Sequence, residues 1–507
     1  MSFVSGPLHG SALLLLLLLV GIFPIKSNYF YIYEWPDMLD DVWPPIDATL
    51  HPKSGYDHAF RDNYGAGVLL DNDNGLFQTW QFSLYKTVIS RLRVSEYRTR
   101  DPSKATSFII PFDLGVHSYI DHLTGEPRLA APHGRQAGRL LREHCNGNQR
   151  DIFWKNQGHD HFVLFSITAY QMVGMMVKEF YMFICQNCTV ITIETSPTKT
   201  AIPGRTRKGW FAAPYPSSFH WHENIKYTPW EVPKSETRDK LKFPVRDVLA
   251  LFIGSVKPSQ PASRALRQTL HAQCVRDDSC QWHETAHACN GVVNATNTML
   301  LFRKSVFCPA PAGDSITRKS IFDALVAGCI PVLFSRASLS QYSWHVNPNE
   351  LSKISLYIPM QDINEGGRNF LDILKSIPDD VILQMQLNIE KIAPTLQYSV
   401  IPKSIGHLDS GKTWKPPFKD AADVIIEKIL DRNTVHPITG WSNEELLRQH
   451  HEQKEIMEYH EDFAALRGRS SGRNEDKINK KITVQTIDEN GKLPKTLTKS
   501  LQICAAI

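Results

Sequence analysis

The chain has no excess of one charge. Its 56 Lys and Arg face 52 Asp and Glu, a net of +4, which argues against nucleic acid as a partner. It also lacks a full-length apolar span. Ala12–Val20 is nearly all leucine, and the apolar run stops at Ile25 before Lys26, short of the ~20 residues a membrane helix wants. No Lys or Arg precedes that run, unlike a standard signal peptide, so residues 1–27 fit either a signal-peptide core or a short signal anchor. No internal repeat or long low-complexity tract is present, which excludes a repeat architecture. No cysteine precedes Cys145.

What is present describes a globular protein. Hydrophobic residues make up 42% and charged residues 21% of the chain, and 507 residues suffice for two domains, each with its own core. A leader of either kind sends the chain into the secretory pathway. The sequons Asn187-Cys188-Thr189 and Asn294-Ala295-Thr296 are compatible with glycosylation there. In an oxidising lumen, Cys274, Cys280 and Cys289 are close enough to share a disulfide-clamped loop, with Cys308 or Cys329 as further partners. The odd total of nine cysteines leaves at least one free or paired between chains.

The most informative stretch runs from Ser305 to His345, SVFCPAPAGDSITRKSIFDALVAGCIPVLFSRASLSQYSWH. Ser305–Pro309 is β-prone, Gly313-Asp314-Ser315 is a turn, Thr317–Ala327 has helical periodicity, and Cys329–Phe334 is a buried strand. Ser315 or Thr317 can cap the helix, and Gly328 suits a left-handed stop. A strand, turn, helix and strand in this order present the unpaired amides of a helix N-terminus to an anion. Arg318 and Lys319 sit in that first turn, where cations oppose the helix dipole. Asp323 lies one turn after Lys319, so the group reads either as a solvated face with a salt bridge or as a phosphate site with a carboxylate at ribose distance.

The form GDSxTRKSxFDAxxAGCIPVxF followed by SQYSWH resembles the nucleotide-sugar signature of the exostosin glycosyltransferases, in particular the plant branch of xyloglucan galactosyltransferases. The resemblance implies a GT-B fold, α/β, with two Rossmann-like domains facing a cleft and the donor held by the C-terminal one. By matching position, Ser320 and Asp323 fall on the donor helix, with Asp323 expected to meet the ribose. Many relatives carry Arg at the position of Ser320, so both Arg318 and Lys319 are candidates for the phosphate. Gly313, Asp314 and Ser315 complete the candidate donor turn.

The rest of the chain follows the same pattern. Tyr29–Tyr33 reads as an aromatic strand, Thr79–Val94 as a helix, and Ala105–Phe112 and Val190–Glu194 as strands, an alternation that argues for a parallel α/β sheet. Arg150–Phe165 and Ala212–His220 resemble the family's WxxxGxDHF and PYP segments. In His159-Asp160-His161, His161 can act as general base on an acceptor hydroxyl with Asp160 orienting it, or the pair can simply fix the loop. Asp247–Gly254 and Ala262–Cys274 resemble the opening of the donor domain, whose Arg264 or Arg267 could reach a diphosphate; Arg264 is the one favoured here. Asp420–Leu430 resembles the closing helix. Expected boundaries are a leader at 1–27, an acceptor-side domain at 28–240, a donor domain at 241–432, and a polar helix and unstructured tail at 433–507, the helix opening on the capping box Ser442-Asn443-Glu444-Glu445.

Two motifs point elsewhere. His283-Glu284-Thr285-Ala286-His287 spells the zinc-hydrolase H-E-x-x-H, but it lies between cysteines without an apolar stripe, and a surface loop accounts for it better. Asp71-Asn72-Asp73 matches a metal-holding D-x-D, yet Asn74-Gly75 after it makes a turn the simpler reading.

The resemblance thus implies an inverting, UDP-sugar-dependent transferase acting on a glycan acceptor, galactose being the guess for the sugar. No metal cofactor is expected. The resemblance also implies residence in the Golgi membrane as a single-pass type II protein, with homo- or hetero-oligomers with other glycosyltransferases possible. The alternatives are a non-catalytic partner subunit of a transferase complex and a zinc hydrolase built on His283 and His287.

Overall fold

The computed structural model describes residues 28–34, 62–111, 156, 158–168, 188–195, 209–231, 246–258, 260–284 and 295–431. The leader, both sequon asparagines, Cys289, His287 and everything from 432 onward lie outside them.

Strand β1 (Phe30–Ile32) is the aromatic run the sequence suggests. An antiparallel hairpin follows, β2 (Val68–Asp71) and β3 (Leu76–Gln78). Helix α1 (Leu84–Arg93) starts later than Thr79. The reason lies in tertiary contacts: Trp80 and Phe82 are buried in the core, and the Thr79 hydroxyl bonds the Ala66 carbonyl at 2.6 Å and the His220 ring at 2.9 Å. After β4 (Arg98–Thr99) come β5 (Ser107–Ile110), β6 (His161–Thr168), β7 (Thr189–Glu194) and β8 (Trp210–Ala212). These form a six-stranded sheet in the order β4-β1-β5-β6-β7-β8, parallel throughout. Every residue of β5, β6 and β7 is buried, as strands covered on both faces require.

The second half repeats the scheme. Its elements are β9 (Val248–Ile253), α2 (Pro261–Cys274), β10 (Cys280–His283), α3 (Ala295–Lys304), β11 (Ser305–Ala310), α4 (Lys319–Val326), β12 (Ile330–Leu333) and β13 (Leu356–Tyr357). The five strands run parallel in the order β10-β9-β11-β12-β13. Helices α5 (Asp379–Ile392) and α6 (Ala421–Leu430) follow. Two parallel α/β sheets joined in this way make the expected GT-B architecture.

Sheet membership changes between β8 and β9, but α6 does not stay with the second sheet. Its Asp423 pairs with Arg91 of α1 at 2.8 Å, and its last turn accepts hydrogen bonds from Ser107 at 2.6 Å and Asn28 at 3.0 Å. At α6 the chain therefore returns to the first half, and among the described residues one large apolar cluster includes residues of both halves.

Candidate functional site

In the second sheet the chain runs from β9 out to β10 on one side, then back to β11 on the other. That reversal opens a crevice beyond the carboxyl ends of β9 and β11, the position where parallel sheets bind ligands. Arg267 of α2 spans it. Its guanidinium donates to Pro311 and Ala312 carbonyls, both at 3.1 Å, and to the Ser255 carbonyl, and it lies 5.2 Å from the Phe252 ring centre. Arg264, the residue favoured from sequence, is exposed on α2 and bonds the Pro258 carbonyl at 3.0 and 3.1 Å. The spacing named both residues but could not say which one is buried between the two strand ends.

Beyond β11 the turn Gly313–Arg318 leads into α4. Arg318 is the extended residue that precedes the helix, and no side chain caps it, so neither Ser315 nor Thr317 acts as the expected cap. The first amides of α4 thus keep their capacity for an anion. Arg318 folds back on its own turn, donating to the Ser315 carbonyl at 3.2 Å and more weakly to Pro311 at 3.4 Å. Gly313 lies under that guanidinium: a Cβ built there would come within 1.8 Å of Nη2. Asp314 is exposed and Ser320 half-buried. The helix ends as its glycine suggests, with Gly328 at φ 72°. Gly328 N–H bonds Leu325 O at 3.0 Å and Cys329 N–H bonds Ala324 O at 2.9 Å, the paired contacts of a Schellman stop.

Lys319 and Asp323 meet, as their spacing allows. Lys319 Nζ lies 3.0 and 2.8 Å from the two Asp323 oxygens. They are not a solvated pair, because both belong to a contact with the first half. The Ser218 amide donates to Asp323 Oδ1 at 2.7 Å, and Lys319 donates to the Ser218 hydroxyl at 2.5 Å. The PYPSS segment after β8 is therefore the strap that holds α4 against the first sheet. His220 fastens the strap, bonding the Tyr398 carbonyl through Nδ1 at 2.6 Å, and burial pushes its pKa down to about 4.

Glu194, at the carboxyl end of β7, completes the group and was not singled out from sequence. It is 2% exposed. Its Oε2 accepts hydrogen bonds from Ser315 at 2.8 Å and Tyr215 at 3.2 Å. Burial pushes its carboxyl up to about 7, against the pull of Ser315, Arg318 and Tyr215. The available signal was a lone carboxylate ending a β-branched apolar run, which in a parallel sheet puts charge at the ligand end.

Asp160 and His161 are not brought to this group. His161 begins β6, whereas Glu194 pairs with Thr168 at the strand's far end, about 23 Å away at ~3.3 Å per residue. The imidazole is fully buried, with Nδ1 on Asp160 at 2.7 Å and Nε2 on the Tyr33 hydroxyl at 2.8 Å, and it stacks on Phe108 at 4.9 Å. Both ring nitrogens are thus engaged, and the pair lies at the amino end of the sheet.

The side motifs resolve locally. His283 ends strand β10, so H-E-x-x-H does not present His283 from a helix, and no metal-binding group of His, Cys, Asp or Glu occurs among the described residues. Asp71 accepts from Asn74 N–H at 3.1 Å and from its amide at 2.8 Å, closing the expected turn, while Asp73 pairs with Lys226 at 2.6 Å. The disulfides described are Cys274–Cys280 and Cys308–Cys329. Cys308 and Cys329 thus pair with each other across β11 and the start of β12.

Comparison with known proteins places the chain in a family. A family model described as the Exostosin GT47 domain matches residues 27–375. A probable xyloglucan galactosyltransferase of Arabidopsis thaliana, GT15, is 27% identical over 431 residues, covering 80% of this chain and 82% of that protein. A second, GT12, is 29% identical over 445 residues, covering 80% and 76%. The Arabidopsis xyloglucan galactosyltransferase MUR3 is 27% identical over 438 residues, covering 81% and 63%. A solved glycosyltransferase from Rickettsia africae overlaps 62% of this chain and 90% of its own at 10% identity, with a TM-score of 0.29, too loose a superposition to add to the fold argument.

Proposed function

Because this chain belongs to the exostosin GT47 family and is a glycosyltransferase, we propose that it moves a sugar, with inversion, from a UDP-sugar to a hydroxyl of a glycan acceptor. The observation that carries the reading is the uncapped N-terminus of α4, with Arg318, Lys319 and Asp323 beside it, at the carboxyl ends of β9 and β11 and facing the first sheet. The diphosphate would take the first amides of α4 and the two cations, which stabilise the charge that develops on UDP as it leaves. That stabilisation supplies what a metal ion would otherwise provide, so we expect none to be needed. Asp323 is the group for the ribose hydroxyls, which would compete with Lys319 for its oxygens. The acceptor hydroxyl, losing its proton to a base, attacks the anomeric carbon from the side opposite UDP.

The relatives are named for galactose transfer to xyloglucan, which makes UDP-galactose and a xyloglucan-like acceptor the first pair to test. The apolar run at residues 12–25 supports entry into the secretory pathway, and the family resemblance adds the Golgi membrane, with the catalytic part in the lumen, as the expected residence; no helix among the described residues is long and apolar enough to cross a membrane.

The test is thermal stabilisation of the purified chain against a panel of UDP-sugars, with and without EDTA. Binding of one donor raises Tm by mass action. The expected result is an EDTA-insensitive shift with one UDP-sugar that disappears in Asp323→Ala. No shift with any nucleotide sugar would sink the donor-site reading.

A further inference from the structure

The mechanism above leaves Glu194 unused, although it joins the two sheets at the candidate site. It ends β7 in the first sheet, and its carboxyl receives Ser315 from the donor turn and Tyr215 from the strap after β8. Around it, Tyr342 donates to the Ile193 carbonyl at 2.7 Å, and the Thr195 amide donates to Gln341 at 2.8 Å. The end of β7 is therefore held to the second half through backbone on both sides of Glu194, with the carboxyl as the contact that reaches the donor turn. Ser315 in turn accepts the Arg318 guanidinium on its carbonyl at 3.2 Å. A chain of contacts thus runs from β7 through Ser315 to the cation beside the helix N-terminus.

Resting on the donor-site reading, we propose that Glu194 is a positioning residue: by bridging Ser315 and Tyr215 it sets the Gly313–Arg318 turn in the shape that receives the donor's diphosphate. The groups facing it are Ser315, Arg318 and the Ile316 amide from the donor turn, Tyr215 from the strap, and Tyr342 beyond it. Both tyrosines are pushed well above their ordinary values by burial and stay neutral. Arg318 is the one cation in this set. A neutral carboxyl leaves Arg318 available to a diphosphate, whereas an ionised one competes for the guanidinium and repels the anion. With the Glu194 carboxyl raised to about 7, the change falls near neutral pH, and donor affinity falls as pH rises through it.

The experiment combines hydrogen exchange of the Gly313–Arg318 amides, corrected for intrinsic rates, with donor titration and turnover, on the full chain at pH 6 and 8. Glu194→Gln keeps an acceptor for Ser315 and Tyr215 but cannot ionise, and Glu194→Ala keeps neither. We expect exchange in the turn to speed at least tenfold in Glu194→Ala and to match wild type at pH 6 in Glu194→Gln. We expect donor affinity to fall several-fold from pH 6 to 8 in wild type and to stay flat in Glu194→Gln. Unchanged exchange in Glu194→Ala, or the same pH slope in Glu194→Gln, overturns the proposal. So does a Glu194→Gln protein that binds donor normally but turns over a hundredfold slower, since the carboxyl would then be acting on the acceptor's proton. If wild type binds no nucleotide sugar while the exchange results hold, the donor-site reading fails and the link from Glu194 to the turn stands.

Discussion

Glycine 313 shows how much a single residue controls at this site. Its missing side chain leaves room for the Arg318 guanidinium, and an added Cβ would overlap Nη2 at 1.8 Å. In Gly313→Ala the flexible arginine, rather than the backbone, must move. Arg318 is only half-buried, so the fold tolerates that shift while the site does not. The expected outcome is a donor KM at least tenfold higher with a Tm within about 3 °C of wild type; a loss of Tm with unchanged KM would show that the turn matters only for folding. Asp323→Asn tests a different contact. The amide keeps the size of the carboxylate but weakens the hold on Lys319 and Ser218, and a charge-assisted hydrogen bond of this kind contributes roughly 1.5–3 kcal/mol. Weaker donor binding together with a lower Tm is expected if the carboxylate takes the ribose as proposed, because the same group holds the strap.

At the scale of elements, two joints hold the architecture. One is the buried cluster between α1 and α6. Arg91 Nη2 lies 2.8 Å from Asp423, its Nη1 donates to the Trp414 carbonyl at 2.9 Å, and its guanidinium sits 4.7 Å from the Trp414 ring centre. Asp420 is buried beside them, where it caps α6 in a reciprocal capping box with Asp423. Burial, helped by Asp420, raises the Asp423 carboxyl to about 6. Removing the arginine leaves two carboxylates without their cation, and breaking a buried pair from one side costs about 3–5 kcal/mol. Arg91→Leu is therefore expected to lower the denaturant midpoint by that equivalent, whereas exchanging exposed Lys415 for Ala, which parts only a surface pair with Glu96, should change it little. The other joint is the Cys308–Cys329 disulfide, which encloses the donor turn and α4 in a loop with sequence separation 21. Closing a loop of this length stabilises by about 3 kcal/mol in the chain-entropy account. The double Cys308→Ser, Cys329→Ser variant should lose that much by chemical unfolding.

At the scale of the molecule, buried titratable groups act in opposite directions on pH stability. His220 and His345 are each pushed down to about 4 by burial from an ordinary 6.5. Between those values the unfolded chain binds more protons, so their contribution is present above 6.5 and lost as pH falls toward 4. Glu194 is raised from 4.5 to about 7. There the folded state binds more protons, so its contribution is full below 4.5 and lost as pH rises to 7. The two effects offset each other over mildly acid pH. Glu194→Gln removes one of them, and its Tm should climb more steeply with pH between 5 and 6.5 than that of wild type. Parallel curves would mean that Glu194 titrates as an ordinary carboxylate.

The sequence by itself determined the elements and the family. The aromatic run of β1, the buried runs of β5 to β7 and the strand-turn-helix-strand of the donor unit are local patterns, and Gly328 stops its helix for a local reason. The pairing of Lys319 with Asp323 is equally local, since residues four apart on a helix are neighbours. Contacts that depend on chain segments far apart were decided only by the tertiary structure. Arg264 and Arg267 lie on one helix three residues apart, and only the placement of Phe252, Ser255 and Pro311 buries Arg267 while Arg264 stays exposed. Asp160 precedes and His161 opens β6, and the parallel sheet puts that end of the strand away from Glu194. His283 was read in a surface loop and lies on an edge strand. Glu194 looked like the last residue of a strand, and became the link to Ser315 because the carboxyl ends of two sheets face one another. Hydrophobic periodicity and turn chemistry act over a few residues and can be read in the sequence. Burial and charge pairing at the site depend on how the two sheets meet, which no short stretch of sequence contains.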